Sequence, residues 1–89
     1  MRPLSTEQLL AVADEFCALT RVRVRSFAAL SACAAVPGAR VHGVPVSDTA
    51  GAAAAELART ISVLRPLTGE NDGFSRVAAT VYAEWAEDR

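Results

Sequence analysis

Phe74, Val77, Ala78, Val81, Tyr82 and Trp85 recur at intervals of three and four residues, the spacing of one face of an α-helix. No other stretch of the chain is so regular. A helix with so wide an apolar stripe is stable in water only when other elements cover it. The chain has 89 residues to do this, enough for one domain with a thin core, since a domain of about 60 residues hides only about 60% of its unfolded surface. With 52% hydrophobic and 21% charged residues, it has the composition of a folded globule and not of a disordered tail.

Three more helices fit the pattern. Ser5 stands before the first with Gln8 at capping-box spacing, and Glu7 lies at the positive end of the dipole. Leu9, Val12, Ala13, Phe16 and Leu19 form its stripe, which runs out near Thr20. Ser26 caps the second helix, with Phe27, Leu30, Cys33 and Ala34 inward; Pro37-Gly38 closes it by removing a donor and allowing positive φ. Ser47, Asp48 and Thr49 supply a cap for the third, whose stripe is Ala50, Ala54, Leu57, Ile61 and Leu64. Its alanines let a neighbouring helix approach closely, and Gly51 weakens its first turn by somewhat under about 1 kcal/mol relative to alanine.

The alternating run from Arg21 to Arg25 is too short to require a strand and reads as an extended link that buries Val22 and Val24. Residues 39–46, ARVHGVPV, place β-branched residues on both sides of a glycine, as in a small hairpin or an extended flap, and Pro45 confines the segment to an edge. There is no internal repeat and no linker. The expected fold is therefore all-α: a single domain over residues 1–89, a small four-helix bundle with helix three central and a short extended flap between helices two and three.

Charge and residue usage narrow the function. Net charge is -1 and no face is obviously basic, so the phosphate neutralisation that drives nucleic-acid binding has little to work with. All nine Lys+Arg residues are arginine, which excludes a phosphate-binding or Schiff-base lysine. Cys17 and Cys33 are too far apart for a metal knuckle and there is one histidine, so the cysteines read as buried, reduced thiols and no metal is expected. No apolar run reaches the roughly 20 residues of a membrane span, and no basic-then-apolar leader opens the chain. The expected setting is cytoplasmic.

Residues 64–76, LRPLTGENDGFSR, join helices three and four through a polar loop with two glycines. Loops that open onto a helix N-terminus often hold phosphates. In this order of elements the chain resembles the Fic/Doc family, and most its short Doc (death-on-curing) branch. LSTEQLLAVADEF resembles that family's opening helix, VRVRSFAALSACAAVPGA its following segment, and GVPVSDTAGAAAAELARTISVLRPL the stretch from flap to central helix. The family's central helix leads into the loop H-P-F-x-[DE]-G-N-[KG]-R, whose histidine activates a target hydroxyl, whose glycine and asparagine form an anion nest, and whose basic residues hold nucleotide phosphates. Members transfer AMP, or in the Doc branch a phosphate, onto another protein.

The chain departs from that motif at most of its chemical positions. Pro66 and Asn71 match, and Leu67 replaces the phenylalanine conservatively. Arg65 stands in place of the histidine, Gly69 of the acid, Glu70 of the glycine, and Asp72 and Gly73 of the two basic residues. Arg76 replaces the lost arginine only if the loop is longer. A guanidinium, always protonated near neutral pH, is no base. Glu70 and Asp72 set negative charge where triphosphate oxygens would lie, at about 1 to 4 kcal/mol for each like-charge pair 4 Å apart. Asp72 reads instead as the N-cap of helix four. The family's further helices would lie beyond Arg89.

The resemblance thus implies a non-catalytic interaction or regulatory protein, toxin–antitoxin-like and bacterial, without cofactor or catalytic residue. The alternative is a divergent nucleotidyl- or phosphotransferase acting on a protein target. Ligand-binding candidates are Arg65, Gly69, Asn71, Gly73 and Arg76. Partner-binding candidates are Arg40, Val41, His42 and Val44 in the flap, which in the family holds the target as an added strand, and Tyr82 and Trp85 on helix four. The expected partner is another protein or a second copy of the chain; nucleic acid and membrane are not expected. His42 alone reads as a surface or edge residue. Arg21, Arg23 and Arg25 read as a solvated link, and Glu84, Glu87 and Asp88 as a solvated face.

Overall fold

The structure, a computed structural model, describes residues 2–87. It is mostly helical: α1 (Thr6–Thr20), α2 (Phe27–Ala34), a two-stranded hairpin of β1 (Arg40–Val41) and β2 (Val44–Pro45), α3 (Ala50–Leu64) and α4 (Asn71–Glu87).

Side-chain caps start the first three helices. Ser5 and Gln8 form a reciprocal capping box, the Ser26 hydroxyl accepts from the Ala29 N–H, and the Thr49 hydroxyl accepts from the Ala52 N–H. The ends are less ordinary. α1 and α3 both stop at an arginine in the left-handed region, Arg21 at φ 61° and Arg65 at φ 51°, whose N–H groups bond back to Cys17 and Ile61. An L-residue there costs roughly 1 to 2 kcal/mol, and no glycine marks either position. Gly38 does not take positive φ. Its requirement is space, because a Cβ at Gly38 would lie 2.9 Å from Pro3 Cα.

α3 and α4 form the closest pair, a helical hairpin in which Ala53, Ala54 and Ala78 are buried small residues. α1 runs antiparallel along α4, with Phe16 against Phe74 at one end (ring centroids 5.6 Å apart) and Leu9 beside Tyr82 at the other. α2 bridges α1 and α3, whose backbones do not approach each other. The helices therefore form a ring in which α3, the most extensively packed of them, lies between α4 and α2, and α4 lies between α3 and α1.

The buried faces are narrower than the stripes. Leu9, Ala13, Leu30, Cys33, Ala34, Leu57 and Ile61 are in the core, but Leu19, Phe27 and Leu64 are exposed. All three lie in a first or last turn, where a helix overhangs its neighbour. On α4 the buried face is Asn71, Phe74, Ser75, Ala78 and Tyr82, while Val77 and Val81 open to solvent. Cys33 is buried, Cys17 half-buried, and both are free thiols. Glu84 and Glu87 face outward; Asp88 lies outside the described residues.

Candidate functional site

The loop from Arg65 to Glu70 is held from three directions. The first is the 21–25 link, more than a solvated connector: Val24 pairs antiparallel with Leu67, and the pairing extends through Thr68 N–H to Arg23 O (2.8 Å), Arg23 N–H to Thr68 Oγ1 (3.0 Å) and Arg25 N–H to Pro66 O (2.7 Å). Val22 and Val24 are half-buried against the core, as their alternation implied. The second is the Arg25 side chain. Its guanidinium donates to Leu64 O at 2.9 Å and to Arg65 O at 2.6 and 2.9 Å, satisfying carbonyls that a helix C-terminus leaves open.

The third is Asn71. Its side chain is buried, accepts from Leu67 N–H at 2.9 Å and donates to Leu67 O at 3.1 Å. One amide thus satisfies both main-chain groups of a buried residue, as burial requires. Pro66 and Leu67 are themselves fully buried, so the loop is a packed part of the bundle.

α4 begins at Asn71, which corrects the expectation for Asp72: it lies in the first turn and is not the cap. Asp72 makes a long contact with Ser62 (3.4 Å), and its carbonyl accepts from Ser75 Oγ (2.6 Å). Glu70 precedes the helix at φ 55°, a conformation open to glycine, and its carbonyl accepts the Phe74 N–H. Among the described residues no hydrogen bond uses the main-chain N–H of Asn71, Asp72 or Gly73. The positive end of the helix dipole is therefore open, with the Glu70 and Asp72 carboxylates at its mouth.

Of the ligand candidates, the structure gathers Arg65, Gly69, Asn71 and Gly73 at the α3–α4 turn, but their surroundings are structural. Arg65 is exposed and its main chain closes α3. Gly69 lies against Val22, and a Cβ at Gly73 would come 3.3 Å from the Phe16 ring. Arg76 is a turn further along α4 on the exposed side.

The partner candidates divide. Arg40, Val41, His42 and Val44 are exposed in the hairpin. His42 at φ 53° and Gly43 at φ 80° make its two-residue turn, consistent with a type I′ hairpin. Tyr82 and Trp85 instead belong to an internal cluster. Tyr82 is 1% exposed and its hydroxyl donates to Arg2 O at 2.7 Å. Trp85 is half-buried, 5.9 Å from the Tyr82 ring, with the Arg2 guanidinium 4.4 Å over its indole. Tyr82 is thus not part of an open patch: residues 2–4 close over this end of α4.

The hairpin's edges follow from its register. Arg40 pairs with Pro45 and Val41 with Val44, and Val46 N–H donates to Ala39 O. In an antiparallel ladder bonded and non-bonded pairs alternate, so Val41–Val44 is bonded and Arg40–Pro45 is not. The groups that face outward are the Arg40 N–H and C=O on one edge and the Pro45 C=O on the other. Proline leaves the β2 edge without a donor, so β1 is the edge that can take an added strand. Neither strand approaches the backbone of any helix.

A groove of about 240 Å³ runs between α1 and α4, lined by Leu9, Ala11, Val12, Ala78 and Val81 among others. Among the described residues no three of His, Cys, Asp and Glu stand close enough to hold a metal ion, and no helix is long and apolar enough to cross a membrane. Compared with protein-family models, with curated proteins and with solved structures, the chain matches none.

Proposed function

We propose that the chain is a non-catalytic, Fic/Doc-like interaction protein, a toxin–antitoxin-like regulator in which the nucleotide-transfer loop has become a structural turn and the hairpin serves a protein partner. One observation carries this reading. The Asn71 amide, which in the Fic/Doc motif helps form an anion nest, is buried and fully engaged by Leu67. Around it, Arg65 stands in the place of the family's base, where a guanidinium offers only donors and no proton acceptor, and Glu70 and Asp72 repel phosphate from the helix N-terminus. The exposed β1 edge supports a partner held by main-chain pairing, which does not depend on particular side chains and outlives the loss of catalytic residues. The two free thiols fit a reducing compartment, in keeping with a cytoplasmic setting.

The alternative, a divergent nucleotidyl- or phosphotransferase, has one feature in its favour: the left-handed Glu70 and the unengaged first-turn amides of α4 form a backbone cradle. Incubation with labelled ATP, Mg²⁺ and candidate protein targets separates the two. No label should reach any protein, and ATP with Mg²⁺ should leave the melting temperature unchanged. Labelling that Arg65→Ala abolishes would replace the first reading by the second.

A further inference from the structure

We propose that the outer face of α4 is a self-association surface, on which α4 of a second copy lies antiparallel about Thr80. This goes beyond the reading of the loop and does not rest on it.

The face consists of Arg76, Val77, Thr80, Val81 and Glu84. Val77 is 40% and Val81 43% exposed, a large share for β-branched side chains one turn apart on one helix. With Arg76 and Thr80 they line a shallow apolar depression along the helix. α1 reaches only its border, where Val81 also lines the groove between α1 and α4, and packs mainly on the neighbouring side, where Phe16 meets Gly73 and Phe74.

The charges identify the occupant. Arg76 lies four residues before Thr80 and Glu84 four after. Turning a second α4 end over end about Thr80 sets Arg76 of each copy opposite Glu84 of the other, with Val77 and Val81 of both copies flanking the axis. A two-fold interface is self-complementary in this way, residue i meeting j while j meets i. Neither Arg76 nor Glu84 has a salt-bridge partner among the described residues. Thr80 at the axis is small enough for its own copy, and the spacing 77, 80, 84 follows the three-then-four repeat of a helix–helix seam. The interface is small for a stable dimer, which on average takes about 800 Å² from each partner, so association is expected in the micromolar range.

Charge reversal tests this, with light scattering and sedimentation equilibrium over a concentration series and circular dichroism to confirm that each variant is folded. The wild-type chain should dimerise. Arg76→Glu and Glu84→Arg should each dissociate at least about tenfold more readily, since each replaces two attractive contacts by two repulsive ones. An equimolar mixture of the two variants should dimerise again, because a copy with acids at both positions then faces a copy with arginines at both. A wild-type chain that stays monomeric at high micromolar concentration overturns the proposal, and so do single variants that dimerise like the wild type. A mixture that stays dissociated overturns the antiparallel register.

Discussion

The loop at 65–71 and the hairpin at 40–46 are both short connections between helices, and the fold treats them in opposite ways. The loop is tied by an antiparallel bridge, an arginine cap and a buried asparagine to segments up to 45 residues away in sequence. Among the described residues the hairpin is tied only to itself, through its own register, the Val46 to Ala39 bond and the Arg40 guanidinium on Gly43 O. The loop is spent on stability. The segment that contributes little to stability is the one left free to meet a partner. Binding surfaces tend to come from the least stable parts of a structure.

Substitutions on the two sides of this contrast should therefore differ in size. The largest effect is expected from Asn71→Ala, which strands the N–H and C=O of buried Leu67. Each unsatisfied group costs about 1 to 3 kcal/mol, and urea denaturation should show a loss of about 2 to 4 kcal/mol. If the loss is only a few tenths, the loop is not a clamp. Arg25→Ala should lose about 1 kcal/mol, the exposed guanidinium being discounted for solvent. Arg25→Lys should recover little of it, since a lysine cannot span Leu64 O and Arg65 O with a planar fork.

A smaller effect comes from pH. Burial pushes the Cys33 thiol up to about 11 from its ordinary 9.0, so the folded chain favours the protonated form. A group raised in the folded state contributes its stability in full below its unfolded pKa. Denaturation midpoints should thus be unaffected by this thiol below about pH 9 and fall between pH 9 and 11, and Cys33→Ser should flatten that fall. Cys17, half-buried, should alkylate before Cys33 in the native chain. The smallest global effect is expected from Gly43→Ala. At φ 80° an alanine is strained by roughly 1 kcal/mol, but the hairpin opens locally, so helicity and melting temperature should stay within error while binding through the β1 edge weakens. Val44→Pro is a blunter probe, because the register turns the Val44 N–H toward Val41 and not toward a partner.

The all-α architecture was legible because Ser5, Ser26 and Thr49 are strong caps and because Leu9, Leu30, Leu57, Ile61 and Phe74 fall on period. The hairpin was legible from Gly43 between valines. The width of each buried face was not. Periodicity marks Val77 and Val81 as strongly as Phe74, and only the position of α1 decides which of them it covers. The clamp was legible only in part. Asn71 stood out as a motif residue, but the signal for burial was its place one turn before Ser75 on the face of Phe74 and Ala78. The Arg25 cap had no sequence signal at all, because it joins residues 39 and 40 positions apart. The arginines at the ends of α1 and α3 occupy left-handed positions where glycine or asparagine is the usual sign.

We propose that the loop is already closed in the free chain and takes up no nucleotide. Amide hydrogen exchange, read residue by residue with and without ATP and Mg²⁺, tests it most directly. The Leu67 and Thr68 amides should be as protected as the core of α3, with the hairpin amide of Arg40 exchanging near the free rate, and nucleotide should change none of them. Leu67 and Thr68 exchanging as fast as the hairpin in the free chain, and slowing when ATP is added, would contradict the account.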